Sequence, residues 1–245
     1  FPGTNCDYDT AKAFRKAGAK VKMSVFRNLT EQDVFDSIDE MKKNIDECQI
    51  LMFCGGFSAG DEPDGSGKFI ANVLNNEKIA SAIEALIARG GLILGICNGF
   101  QALVKSGLLP YGHLGCVTKD SPTLFRNDIN RHISQIALTR VASVNSPWLA
   151  GMQVGDTYAI PVSHGEGKFV VNEELAKELF ENGQVAFQYA EPVDECVTMQ
   201  SPDNPNGSYY AIEGIISKNG QILGKMGHSE RYENNLFKNI EANLE

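Results

Sequence analysis

The sequence lacks several things that would each name a function. Its apolar runs, Gly91–Cys97 among them, are far shorter than the roughly 18 residues a membrane-spanning helix needs. It has no basic run: 22 Lys and Arg stand against 31 Asp and Glu, for a net charge of −9. An acidic body of this kind is unsuited to nucleic acid or an anionic membrane, and neither partner is expected. No Walker-type loop and no G-x-G-x-x-G is present, so ATP is not expected to bind here. The six cysteines, at 6, 48, 54, 97, 116 and 196, form no C-x-x-C pair and are too sparse for a disulfide framework. A reducing, cytoplasmic setting with one or two chemically active thiols is the simpler expectation, and no metal site is expected. Histidine is scarce as well, at positions 113, 132, 164 and 228, so few side chains can act as a base near neutral pH. The single Trp148 reads as a packing residue.

What is present is ordinary globular composition, 42% apolar and 22% charged over 245 residues. A chain of this length buries about 70–75% of its extended surface and needs no staple. The 24 glycines cluster after apolar β-like runs, where backbone must turn sharply or approach a ligand. Helices are predicted over Asp9–Ala19, from Thr30 as cap through Ile45, and over Lys68–Leu74, Ile79–Ala88, Phe100–Ser106, Glu173–Glu181 and Tyr232–Ile240. Strands are predicted at Val21–Phe26, Ile50–Cys54, Leu92–Ile96, Ile133–Val144, Tyr158–Ser163 and Val185–Ala190. Ile212–Ser217 and Gln221–Met226 flank Lys218-Asn219-Gly220 as a hairpin. Strands alternating with helices in the first half imply a parallel sheet with helices on both faces, and the second half adds an antiparallel elaboration. One domain over 1–245 is expected. Phe1-Pro2-Gly3-Thr4-Asn5-Cys6 reads like the loop that follows a strand, so the expectation is a piece of a longer chain without its first strand.

The sharpest chemical feature is Gly95-Ile96-Cys97-Asn98-Gly99-Phe100-Gln101. A buried strand ends at Cys97 and a helix begins at once. Glycines two residues to either side allow the strained turn that lifts a nucleophile above a sheet edge, with Cys in place of the more familiar Ser. The helix N-terminus favours negative charge on the sulfur. A thiol nucleophile needs a base. His228, in Met226-Gly227-His228-Ser229-Glu230-Arg231, follows a predicted strand, and Glu230 two residues on projects to the same side to orient it. Oxyanion donors are expected from Cys54-Gly55-Gly56-Phe57, through the backbone of Gly56 or Phe57, and from the N–H of Asn98. The order Cys, His, Glu differs from that of an α/β-hydrolase.

Gly-Gly-Phe-Ser-Ala-Gly-Asp (55–61), the Cys97 elbow and Gly-His-Ser-Glu-Arg (227–231) resemble the class I, or triad, glutamine amidotransferases. Gly-Thr-Asn-Cys-Asp (3–7), Gly-Leu-Leu-Pro (107–110), His-Gly-Glu-Gly (164–167) and Asn-Pro-Asn-Gly-Ser (204–208) narrow the resemblance to the glutaminase domains of phosphoribosylformylglycinamidine synthases. The resemblance implies a flavodoxin-like α/β fold and hydrolysis of L-glutamine at Cys97. It gives His228 and Glu230 their triad roles. Gln101, His164, Gly165, Glu166 and Gly167 would hold the substrate's α-amino and carboxylate end. The ammonia would pass to a synthetase domain or subunit that binds ATP and Mg²⁺. The sequence departs from the family pattern at Cys54, Gly227 and Ser229, where proline is more usual, which bears on the rigidity of those turns. Two rival readings are another cysteine-elbow hydrolase, acting on γ-glutamyl or peptide bonds, and a docking module that has kept the fold. His164 as a base, reactivity of Cys6, and a cation loop at Asp61–Gly65 are weaker candidates; Cys48, Cys116 and Cys196 read as inert.

Overall fold

A computed structural model describes residues 1–58, 65–233 and 236. Residues 61–64 of the acidic loop and residues 234, 235 and 237–240 of the helix expected over 232–240 lie outside the described residues, and Tyr232 is extended.

Chain order runs α1 (Asp7–Lys16), α2 (Glu31–Glu47), β1 (Ile50–Phe53), α3 (Lys68–Leu74), α4 (Glu77–Ala88), β2 (Leu92–Ile96), α5 (Asn98–Ser106) and the short α6 (Leu108–Tyr111). There follow β3 (Thr123–Phe125), β4 (Ile133–Val141), β5 (Thr157–His164), β6 (Lys168–Val170), α7 (Glu173–Glu181), β7 (Val185–Ala190), β8 (Ile212–Ile216) and β9 (Ile222–Lys225). Local chemistry accounts for the clearest boundaries. Thr30 caps α2 with a reciprocal box, its side chain accepting from Asp33 N–H while the Asp33 carboxylate accepts from Thr30 N–H. Gly220 closes the β8–β9 hairpin at φ +74°, donating its N–H to Ser217 O.

The main sheet has the order β1-β2-β9-β8-β7-β4-β5. β1, β2 and β9 are parallel, and β9-β8-β7-β4-β5 continue antiparallel. The alternating first half of the chain thus supplies β1 and β2, and the second half supplies the antiparallel strands together with β9, a hairpin arm that pairs parallel to β2. Along β2, Gly95 faces α5, since a Cβ there would lie 2.6 Å from Leu103 Cδ1. Leu94 packs against the cluster of Val141, Leu149, Phe187 and Leu223 that Trp148 also covers, and Phe14 of α1 meets Trp148 edge-on at 6.5 Å. The parallel strands are covered on both faces, as their unbroken apolar sequence requires. Trp148 is a packing residue, half-buried with its ring N–H donated to Gln221 O.

One predicted strand does not form. Val21–Phe26 alternates, but the segment joins no ladder and only Phe26 is fully buried, stacked on Phe1 at 5.5 Å. Alternation specifies an extended backbone with one wet face; a strand also needs a neighbour, and β1 is the edge of the described sheet. The two-stranded sheet of β3 and β6 carries no sequence signal, because three-residue strands are too short to show a period.

The sheet curls. β5 is the far edge, five places from β2, yet Cys97 Sγ lies 3.8 Å from Ser163 O and His228 N–H donates to Pro161 O at 2.9 Å. That curl brings the His164–Gly167 loop over the end of β2.

Candidate active site

Cys97 sits between β2 and α5 at φ 53°, ψ −107°, a conformation L-residues avoid. Two close approaches impose it. A Cβ on Gly99 would stand 2.1 Å from the carbonyl oxygen of Phe53, and one on Gly95 2.8 Å from the Gly99 backbone. Helix and strand are therefore packed backbone to backbone, and the intervening residue is forced upward. Cys97 N–H donates to Lys225 O at 2.8 Å, which fastens the elbow to β9 three residues before His228. α5 has no side-chain cap, so its first amides are left for the site.

His228 is 1% exposed and its Nδ1 lies 2.6 Å from Glu230 Oε1. That contact places an imidazole proton on Nδ1 and leaves Nε2, buried and without a partner among the described residues, able to exchange a proton. Gly55 locates the ring relative to the thiol. A Cβ on it would meet His228 Cε1 at 2.8 Å, Cys97 Cβ at 3.3 Å and Cys6 Sγ at 3.3 Å. Cε1 lies between the two ring nitrogens, so the two cysteines and the imidazole edge share one small space. Burial opposes a charge on His228. The neighbouring Cys97 sulfur, then Cys6 and Glu230 as acceptors of the ring's proton, together outweigh it and raise the pKa. The arrangement favours an imidazolium beside sulfur, the resting form of a thiol nucleophile with its base.

Two buried charges hold the histidine turn where the family pattern has proline. Glu213 on β8 accepts from Gly227 N–H at 2.5 Å, and Lys225 on β9 donates to Ser229 Oγ at 3.1 Å. Both side chains are almost fully buried, and Lys225 Nζ also lies 4.4 Å over the Phe187 ring. A proline at 227 would have no N–H for Glu213. Sequence reading passed over both residues. The available signal was a single charge inside each of two otherwise apolar strands, which a buried sheet tolerates only when the charge is satisfied.

Of the expected oxyanion donors, Phe57 N–H is already donated to Gly3 O at 3.0 Å. Gly56, which bridges to Thr4, and Asn98, the first residue of α5, remain the candidates for that role. The expected substrate-binding group is brought to the same rim. Gln101 donates to Glu166 O at 2.5 Å and accepts from Asn98 Nδ2 at 3.1 Å, so both ends of its amide tie the 164–167 loop to the start of α5. Glu166 Oε2 accepts from Ser66 N–H at 3.0 Å. Asn127 Oδ1 accepts from Gly167 N–H and from the His164 ring, while its Nδ2 donates to His164 O. Asn206 Nδ2 donates to Gly167 O, and Ser208 Oγ accepts from Phe169 N–H. The 204–208 motif therefore acts as scaffolding for this loop.

His164 is a weak base. Burial first, then the nearby His228 and His132, lower its pKa to about 3, so it is neutral at working pH. The sign follows directly. Between about pH 6.5 and 3 the unfolded chain takes up a proton at residue 164 that the folded chain refuses, so stability falls as pH falls. His164→Gln should flatten this acid limb, measured as the change in urea midpoint between pH 7 and pH 5; an unchanged pH dependence would show that His164 titrates normally.

Comparison with known proteins gives the family. Residues 1–244 match the family model of the CobB/CobQ-like glutamine amidotransferase domain. Phosphoribosylformylglycinamidine synthase subunit PurQ of Methanococcus maripaludis (strain C5) is 37% identical over 231 residues, 94% of this chain and 80% of the relative. The chain belongs to the PurQ family of glutamine amidotransferases. The PurQ subunit of Aquifex aeolicus is 34% identical over 233 residues, 94% of this chain and 88% of that one. Among solved structures, PurLQS from Thermotoga maritima superposes with a TM-score of 0.67 at 26% identity, covering 94% of this chain and 85% of that chain. The fold is thus the flavodoxin-like one of class I glutamine amidotransferases, with its parallel part carrying the cysteine elbow. None of the described helices is long and apolar enough to cross a membrane.

Proposed function

We propose that this chain hydrolyses L-glutamine to glutamate and ammonia at Cys97, and that the ammonia serves the ATP-dependent conversion of formylglycinamide ribonucleotide to formylglycinamidine ribonucleotide in purine synthesis. The observation that carries the reading is the convergence at one rim of a strained cysteine elbow with a buried His228–Glu230 pair. The Cys97 sulfur attacks the side-chain amide carbon of glutamine. The developing oxyanion is met by the N–H groups of Gly56 and Asn98, donors whose individual loss costs roughly 10²–10³ in rate. His228 gives its Nε2 proton to the departing ammonia, then takes one from the water that opens the Cys97 thioester. Glu230 keeps the ring in register throughout. The backbone of 165–167 receives the α-amino and carboxylate end of the substrate, and Gln101 positions that loop.

The partner is a synthetase subunit or domain, by analogy with the Thermotoga maritima assembly named PurLQS. ATP and Mg²⁺ belong to that partner in this proposal, since the steps at Cys97 need neither. A cytoplasmic location is part of the same reading, supported by six cysteines that are all free thiols.

A glutamine-like diazo ketone tests the assignment. With the synthetase partner present, mass spectrometry should find one adduct, on Cys97 alone. Burial raises the Cys54 thiol to about 11 against a hydrogen bond from Thr10, so this other inner cysteine should stay unmodified. Equal labelling of several cysteines, or none at Cys97, would refute the site.

A further inference from the structure

Cys6 takes no part in the chemistry above, yet its sulfur is fully buried against the triad. It lies 3.9 Å from His228 Nδ1, on the Glu230 side of the ring and not the Cys97 side. Cys6 Sγ, His228 Nδ1 and a Glu230 carboxylate oxygen all fall within 4.8 Å of one another. A second observation points to a cation: Glu230 Oε2 is buried and has no hydrogen-bond partner among the described residues. A cavity of about 340 Å³ between α1 and residues 230–233 reaches Glu230; Lys12 and Lys16 also line it, Lys12 paired with Glu233.

We propose that Cys6, His228 and Glu230 form an inhibitory site for Zn²⁺ or a similar thiophilic divalent ion. One sulfur, one imidazole nitrogen and one carboxylate oxygen are a zinc donor set, at bond lengths of about 2.3, 2.0 and 2.1 Å. Tetrahedral bonding at those lengths sets ligand atoms about 3.3–3.6 Å apart, so the present triangle needs only small side-chain adjustments. A water entering from the cavity supplies the fourth ligand. Arg231 Nη2 donates to Cys6 Sγ at 3.1 Å, and a metal-bound thiolate would keep accepting that bond. Binding releases the Cys6 thiol proton. It also takes Nδ1 from the proton shared with Glu230, so the one proton left on a neutral ring sits on Nε2. The imidazole then cannot accept a proton on the side facing Cys97, and Glu230 no longer orients it. The ion switches off the base without touching the nucleophile.

The kinetic consequence rests on the proposed role of His228; the binding itself does not, and the two are read separately. Co²⁺ added to the full chain in complex with its synthetase partner should give a thiolate-to-cobalt charge-transfer band at one ion per chain. The band should persist in Cys97→Ala and vanish in Cys6→Ser. Zn²⁺ should inhibit glutamate release by the wild type, with the inhibitory concentration raised at least about 10-fold in Cys6→Ser. No band, or a band lost in Cys97→Ala and kept in Cys6→Ser, would overturn the proposal, the second result placing the ion on the nucleophile. A Cys6→Ser chain that fails to fold would leave the Cys97→Ala spectrum to decide.

Discussion

Replacing Cys97 with alanine is expected to lower glutamine-dependent glutamate release by about 10⁴-fold or more, because the alternative nucleophile, water, has no comparable activation in the site. The synthetase reaction should return when ammonium is supplied directly, since only the source of ammonia has been removed. Persistence of glutamate release in the variant would end the assignment. A second replacement separates chemistry from strain. Cys97→Gly and Cys97→Ala both lack the thiol and differ mainly in tolerance for φ 53°, ψ −107°. Cys97→Gly should therefore be the more stable of the two by about 1 kcal/mol, even after glycine's larger unfolded-state entropy is counted. If alanine proves the more stable in urea unfolding, the elbow is not strained.

Gly99→Ala is expected to have the largest effect on stability. Its Cβ would fall 2.1 Å from the Phe53 carbonyl oxygen, which belongs to the backbone of β1 and cannot rotate aside. α5 would have to lift from the sheet, at about 3 kcal/mol, the upper end of the usual overpacking cost. The folded remainder should also lose about 10²-fold in kcat/KM, because a shift of about 1 Å displaces the Asn98 amide from the oxyanion. A variant with wild-type urea midpoint and activity would show that helix and sheet are not in close contact there.

How legible the molecule was follows from how far each signal reaches along the chain. The α2 capping box, the Lys68–Leu74 helix, the Leu92–Ile96 strand and the β8–β9 hairpin rest on neighbours a few residues apart, and each formed where its pattern lies. Val21–Phe26 had the pattern but no neighbour to pair with. The His164 ring, a conceivable base from its sequence setting, is buried beside His228 and stays neutral. Phe57 N–H, a conceivable oxyanion donor, is taken by Gly3.

The sequence alone determined the cysteine elbow, since the spacing of Gly95, Cys97 and Gly99 is a local steric requirement of the turn itself. It also determined the His228–Glu230 pairing, although the contact is made across a 3₁₀ turn at Ser229–Arg231 and not along the extended segment expected. Only the tertiary structure decided what surrounds them. Cys6 comes to His228 from 222 residues away, β5 returns to Cys97 through a curled sheet, and Glu213 and Lys225 brace the turn from within β8 and β9. Such contacts depend on sheet order and curvature, which arise from the packing of all the strands together and leave no period in any one of them.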